Sequence, residues 1–363
     1  MTVLPAGSTI GIIGGGQLGR MLAMAAARLG YKTIVLEPQP DCPAAQAANR
    51  QIVAAYDDPA ALDDLAANCQ VVTYEFENVP VAAAHWLADK VRISPPPRAL
   101  EISQDRLTEK SFLNEIGVET ARFWPVGSES DLRAGLAEFG GEGVLKTRRF
   151  GYDGKGQQVL RKNDAASDSI VASLGAGDLI LEELVPFERE ISIIAARALD
   201  GSVIVYDPAE NIHREGILRS STVPAHISTA CAEKAAAYAA ALLVELDYVG
   251  VLGLEFFVAP GDRLLANEFA PRVHNSGHWT EAACLISQFE LHIRCVAGLP
   301  LASTSRHSDC LMENLIGDDV DRLTDLAREP NVLIHLYGKS EARPGRKMGH
   351  FTRLTGHRDA ARG

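Results

Sequence analysis

The chain has 363 residues, 47% apolar and 23% charged, and its 35 Lys and Arg against 47 Asp and Glu leave a net charge of -12. That composition excludes a disordered chain, a collagen, a coiled coil and a small disulfide scaffold, and the length suits two or three domains of roughly 150 residues. The acidic balance argues against nucleic-acid binding through the overall field, no apolar run reaches the roughly 20 residues of a membrane span, and the N-terminus lacks a signal-peptide pattern.

The first elements read strand, glycine turn, helix, strand. Thr9 to Ile13 is an apolar strand, Gly14 to Gly19 a turn, and Arg20 to Leu29 a helix that stops at Gly30. Thr33 to Leu36 is the next strand, Pro59 to Ala67 a helix and Val71 to Tyr74 a further strand, so alternation predicts a parallel sheet. The turn has the Gly-x-Gly-x-x-Gly spacing of a dinucleotide fingerprint, and Glu37 ends the second strand where an acidic residue would meet ribose. Such a turn also offers N–H groups to any phosphate or carboxylate. Nothing downstream resembles hydride chemistry, so NAD is not the expected ligand.

Ser94-Pro95-Pro96-Pro97 marks a boundary. A helix from about 106 to 116 follows, closed by Gly117, and then a second unit over about 120–185. Its strands include Gly143 to Thr147, Gln158 to Leu160 and Leu179 to Glu183. Gly151, Gly154 and Gly156 lie in the loop between the first two. In the third part, Glu190 to Arg197 turns at Asp200-Gly201 into Val203 to Tyr206, Thr229 to Leu246 is an Ala-rich helix, and Val251 to Val258 and Leu264 to Phe269 flank Gly261-Asp262. The expected division is 1–98, 99–185 and 186–363.

The second glycine loop and the last hairpin carry the chemistry. Lys146 on a strand before a flexible Gly151-to-Gln157 flap is one way to hold polyphosphate, although no Walker sequence is present. Phosphoryl transfer needs a divalent metal, and Mg2+ prefers carboxylates. A two-residue Gly261-Asp262 turn of type II′ would pair Pro260 with Arg263 and so set Glu255 opposite Glu268. Two facing carboxylates repel each other unless a cation lies between them. Glu182, Glu183, Leu184 and Val185 end a strand between two units, where backbone groups can meet adenine, and Glu190 is placed for ribose hydroxyls. His213 is read as a nucleotide contact. His274 and His278 are four apart, but Asn275-Ser276-Gly277 is poor helix, so they are not read as a metal pair.

From Lys339 onward seven basic residues oppose two acidic ones, which leaves the rest of the chain at -17. A turn at Pro344-Gly345 can fold Arg346 and Lys347 back toward Lys339, so the three would converge on one anion. The six cysteines form no CxxC and read as buried, reduced thiols of a cytoplasmic protein.

This combination resembles the ATP-grasp superfamily, and within it the N5-carboxyaminoimidazole ribonucleotide synthetases of purine biosynthesis. The likeness covers nearly the whole chain. Its markers are Gly14 to Met21, Tyr74 to Val79, Gln104 to Lys110, Gly151 to Gln157, Asn267 to His278 and Lys339 to His350. The resemblance implies a mixed α/β and α+β, three-domain ATP-grasp fold with a Rossmann-like (pre-ATP-grasp) parallel sheet at the N-terminus. It implies an ATP-dependent carbon-nitrogen ligase that carboxylates 5-aminoimidazole ribonucleotide with bicarbonate through carboxyphosphate, with Mg2+, two ions by expectation. A homodimer is implied as well. The nearest alternative is a formate-dependent glycinamide ribonucleotide transformylase; a degenerate, non-catalytic scaffold is the other.

Carried onto this sequence, the resemblance assigns Arg272, Tyr152, Asp153 and His274 to the reacting groups. It assigns Arg106, Lys146, Gly151, Gly154, Lys155, Gly156, Gln157, Asn267 and Glu268 to ATP, and Glu255 and Glu268 to metal. The ribonucleotide would meet Gly16, Gln17, Leu18, Lys339, Arg346 and Lys347, with Glu77, or less favourably Glu75, on its amine. Many ATP-grasp enzymes carry Asn two residues after the second metal glutamate; here that residue is Ala270.

Overall fold

A computed structural model of the chain describes residues 2–151, 155–162, 170–174 and 178–357. Among these residues there are three sheets. The first is parallel, in the order Arg50–Ile52, Lys32–Leu36, Thr9–Ile13, Val71–Tyr74 and Arg92–Ile93. Thr9–Ile13 and Val71–Tyr74 are apolar almost throughout because both faces of this sheet are covered. Helix Gln17–Arg28 follows the glycine turn, and Gly30 beyond it has a left-handed φ of 78°.

The second sheet is small and antiparallel, in the order Phe123–Val126, Leu179–Glu182, Gly143–Thr147 and Gln157–Leu160. The third is a nine-stranded antiparallel sheet. It runs Arg263–Ala270, Gly250–Ala259, Arg189–Arg197, Ala209–Arg214, Ile217–Val223, Ser308–Ile316, Lys347–His357 and Val332–Leu336, with Val203–Val205 beside Arg189–Arg197. Helix Thr229–Glu245 covers one face through Ala235, Ala239, Leu242 and Leu243. Among the described residues no helix is long and apolar enough to cross a membrane.

Helix Gln288–Ala297 joins the first and third sheets. Its Phe289, Ile293 and Val296 share one core with Ile10, Leu22 and Ile194. His292 on this helix is buried and spans the joint: one ring nitrogen lies 2.8 Å from the Thr73 hydroxyl, and the other accepts the Val251 N–H at 3.1 Å. Burial pushes its pKa down to about 3, so the ring stays neutral.

The hairpin differs from the sequence reading in a telling way. The connecting loop has three residues, because Ala259 pairs with Arg263, and both Gly261 and Asp262 have positive φ, so the turn is not type II′. A bulge between Glu255 and Phe256 then shifts the register by one, and Asn267 is the extra residue. The two departures cancel, and Glu255 does face Glu268.

Truncating the interdomain histidine should expose how much this joint contributes. His292→Ala leaves the Thr73 hydroxyl and the Val251 N–H without their partner, and the expected loss is roughly 2–5 kcal/mol of stability in urea unfolding. A loss below about 1 kcal/mol would show that the ring is not the strut.

Candidate active site

A cleft of about 500 Å³ lies where the three sheets meet. The parallel sheet contributes Gln17, Leu18, Glu75 and Glu77. The small sheet and its flap contribute Lys146, Gly151, Lys155 and Gln157. The large sheet contributes Glu190, His213, Glu255, Asn267, Glu268, Arg272, His274 and Lys347, and Arg106 enters from the linking helix.

The glycine turn does not wait for a phosphate. The Gly16 N–H donates to one carboxylate oxygen of Glu75, and the Gly19 N–H donates to the other at 2.6 Å. The Gly15 N–H donates to Glu37 at 2.8 Å. A side chain at Gly16 would collide with the Glu75 carboxylate, so glycine is needed for this close approach. Two acidic side chains thus occupy the donors a dinucleotide pyrophosphate would need. Burial pushes the Glu75 carboxyl up although the two amides oppose it.

Helix Arg106–Glu115 begins at Asp105, whose carboxylate accepts the Leu107 and Thr108 N–H groups and also bonds Arg148. This start puts Arg106, Glu109 and Lys110 on one face. Arg106 Nη1 lies 2.8 Å from Glu268 Oε2. Lys110 Nζ donates to the Asn267 carbonyl at 3.0 Å and lies 3.3 Å from Glu182 Oε2. The same Glu182 oxygen accepts from Lys146 Nζ at 2.8 Å. Burial alone would raise the Glu182 pKa, but Lys110 and Lys146 hold it at about 2. Glu109 accepts the Phe269 N–H at 2.7 Å, while burial and the neighbouring Glu268 push its pKa up to about 8.

The facing carboxylates are unequal. Burial and then Glu268 push Glu255 up to about 7, whereas Arg106 outweighs burial and holds Glu268 at about 2. The buried Asn267 Oδ1 beside them has no hydrogen-bond partner among the described residues. His274 Nε2 lies 3.4 Å from Glu255, and burial, then Arg272, lowers the ring's pKa to about 3. The Arg272 guanidinium bonds Glu77. Glu190 lies 2.9 Å from His213 Nδ1.

Several sequence expectations find a different setting. The Glu182 carboxylate faces two lysines, and the Glu183 carboxylate forks onto Arg122 at 2.8 and 3.0 Å while its N–H donates to the Arg122 carbonyl. Neither side chain lines the cleft, and Leu184 and Val185 do not line it. Phe257, which does line it, stacks on Phe187 with ring centroids 4.7 Å apart and supplies a flat apolar wall that sequence reasoning missed. Gly156 stands behind the flap, its carbonyl accepting the Thr147 N–H at 2.8 Å. The hairpin end does fold back: Lys339 Nζ donates to the Lys347 carbonyl at 2.7 Å, and Arg346 donates to the Glu341 carbonyl at 3.0 Å, but of the three cations only Lys347 lines the cleft. Tyr152, Asp153 and Gly154 lie outside the described residues.

Comparison with known proteins places this site in a family context. Residues 7–104 match the ribonucleotide synthetase preATP-grasp domain, 111–289 the ATP-grasp domain, and 310–362 the phosphoribosylaminoimidazole carboxylase C-terminal domain. The N5-carboxyaminoimidazole ribonucleotide synthase of Brucella melitensis is 64% identical over 97% of this chain and 98% of the relative. That of Bacillus subtilis is 43% identical over 95% of this chain and 91% of the relative. An ADP complex of an N5-carboxyaminoimidazole ribonucleotide synthetase superposes with a TM-score of 0.94 at 44% identity, covering 98% of this chain and 94% of that one. The Aspergillus clavatus synthase in complex with ADP and 5-aminoimidazole ribonucleotide does so with a TM-score of 0.89 at 30% identity, covering 97% and 94%.

The buried carboxylates make opposite demands on pH. The lowered Glu182 contributes stability that is complete above its ordinary value of 4.5 and is lost as pH falls toward about 2. Glu182→Gln strands two lysines, and the expected cost in denaturant unfolding at pH 7 is about 3–5 kcal/mol. Glu109→Gln replaces a carboxyl that keeps its proton at neutral pH, so its expected cost stays within about 1 kcal/mol. Equal costs would contradict this assignment of charge.

Proposed function

The chain belongs to the N5-carboxyaminoimidazole ribonucleotide synthases of the ATP-grasp superfamily, and on that premise we propose how its own residues divide the work. It is a carbon-nitrogen ligase of purine biosynthesis: ATP, bicarbonate and 5-aminoimidazole ribonucleotide give the N5-carboxylated ribonucleotide, ADP and phosphate. The observation that supports this division best is the facing pair Glu255 and Glu268 at the floor of a cation-lined cleft.

ATP lies under the flap that starts at Gly151 and ends at Gln157, with Lys146, Lys155 and Arg106 against its phosphates and the wall at Phe257 against its base. Glu190 and His213 take the ribose. The residues suit Mg2+: two opposed carboxylates, one with its proton affinity raised by burial and then by the other, and beside them an Asn267 oxygen without a partner among the described residues. When bound, Mg2+ neutralises charge on the phosphate oxygens. Until then Arg106 serves as the counter-charge of Glu268, so it is free to turn to phosphate once that carboxylate has another partner.

A bicarbonate oxygen attacks the γ-phosphorus and ADP leaves, forming carboxyphosphate. The substrate amine then takes the carboxyl carbon, the carbon–oxygen bond to phosphate breaks, and the amine loses a proton. Arg272 stabilises the transferred group, Glu77 holds Arg272 and faces the amine, and neutral His274 orients Glu255. The family likeness assigns Tyr152 and Asp153 to ordering bicarbonate or the amine, and the intermediate has to be kept from water. Gln17, Leu18 and the Gly16-bound Glu75 form the ribonucleotide side, with Lys347 at the cleft wall as its phosphate anchor and Lys339 and Arg346 behind it. The division at 98 and 185, the homodimer and a cytoplasmic location belong to the same proposal; six buried, free cysteines suit a reducing compartment.

ADP release is expected to require bicarbonate together with aminoimidazole ribonucleotide, and turnover on formate and glycinamide ribonucleotide would instead favour the transformylase. Glu268→Gln is expected to abolish ATP turnover while leaving the fold intact; near-normal activity would remove the metal assignment. Lys347→Met is expected to raise the ribonucleotide KM roughly tenfold or more and leave the ATP KM within about twofold, as steady-state kinetics reads it.

A further inference from the structure

Away from the cleft, three side chains with metal-ligating atoms converge. Val332–Leu336 and Lys347–His357 pair antiparallel with His335 directly opposite His350, and the two rings stack with centroids 5.4 Å apart and planes 8° apart. Glu281, on the short helix Thr280–Ala283, points between them. Its Oε2 lies 3.2 Å from His335 Nδ1 and 3.9 Å from His350 Nε2, and the three ligating atoms fall within 4.8 Å of one another. Donors about 2.0–2.2 Å from a tetrahedral ion stand roughly 3.3–3.6 Å apart, so the triangle needs only small side-chain adjustments to close on one.

Two further features point to a ligand. Glu281 Oε2 is buried and, among the described residues, has no well-aligned hydrogen-bond partner beyond its approach to the two imidazoles. His350 is 2% exposed, and its other ring nitrogen lies 2.9 Å from the Tyr337 hydroxyl. That is how metal-bound imidazoles are usually held: one nitrogen anchored by a neighbour, the other presented to the ion. None of the three residues lines the cleft. The donor chemistry differs too, since two imidazoles and one carboxylate suit zinc, whereas the oxygen donors of Glu255 and Glu268 suit magnesium.

We propose that Glu281, His335 and His350 form a second, zinc-type metal site that clips the C-terminal hairpin to the helix following the active-site loop. Glu281 lies within the segment that matches the ATP-grasp domain, and both histidines lie within the C-terminal domain match. The strand that carries His350 begins at Lys347, so the clip would fix the strand that feeds the cleft.

The test uses the full chain freed of metal with chelator and titrated with Zn2+ by calorimetry. Co2+ replaces zinc in a parallel titration followed by visible absorption. Wild type and the Glu255→Gln/Glu268→Gln variant, which lacks the active-site carboxylates, are both expected to take up one equivalent and to gain thermal stability. His335→Ala and Glu281→Gln are expected to lose at least tenfold in affinity and to lose the zinc-dependent thermal shift. Both positions are partly exposed, so these variants test the site even where His350→Ala does not fold. Zinc uptake that is unchanged in His335→Ala and Glu281→Gln, or that disappears with Glu255 and Glu268, would overturn the proposal.

Discussion

Glu182 is the charge on which the working arrangement depends. It is buried between Lys110 and Lys146, which belong to different parts of the chain, and Lys110 passes on to the backbone of Asn267 at the bulge. Four residues before Lys110 on the same helix, Arg106 meets Glu268. The small sheet, the linking helix and the carboxylate hairpin are therefore tied by alternating charges. Uncompensated burial of any member is costly, so the alternation sets where each element can sit. Of these cations, Arg106 and Lys146 line the cleft.

The same logic explains the glycine turn. A turn with free N–H groups at the start of a helix attracts negative charge, whatever its source. In this chain Glu75 arrives from the end of a neighbouring strand and Glu37 from another, and both bind there. The motif keeps its shape but uses it to hold a carboxylate against the cleft. A sequence pattern thus identifies a type of backbone; it does not identify the ligand.

The hairpin shows a correct inference reached through compensating errors. The expected two-residue turn is a three-residue loop, and the expected regular ladder carries a bulge at Asn267. Each shifts the register by one in opposite senses. The glutamates face each other because the two shifts cancel. The bulge also exposes the Asn267 carbonyl to Lys110, which a regular strand would have used in its ladder.

The sequence alone determined the alternating strands and helices, the linking helix from about residue 106, the fold-back of the Lys339-to-Lys347 hairpin and the family likeness. All of these depend on local pattern, turn chemistry or motif spacing. The i, i+4 spacing of Arg106 and Lys110 was legible as well, since it places both on one helix face, although their partners were not. Only the tertiary structure decided that Glu182 faces two lysines, that Glu183 forks onto Arg122, that His292 spans two sheets, and that Glu281 meets His335 and His350. Those contacts join residues far apart in the chain, and nothing in local periodicity encodes which distant charge will end beside which. What selects them is the cost of burying a charge or a hydrogen-bonding group without a partner, and that cost exists only once the elements have packed.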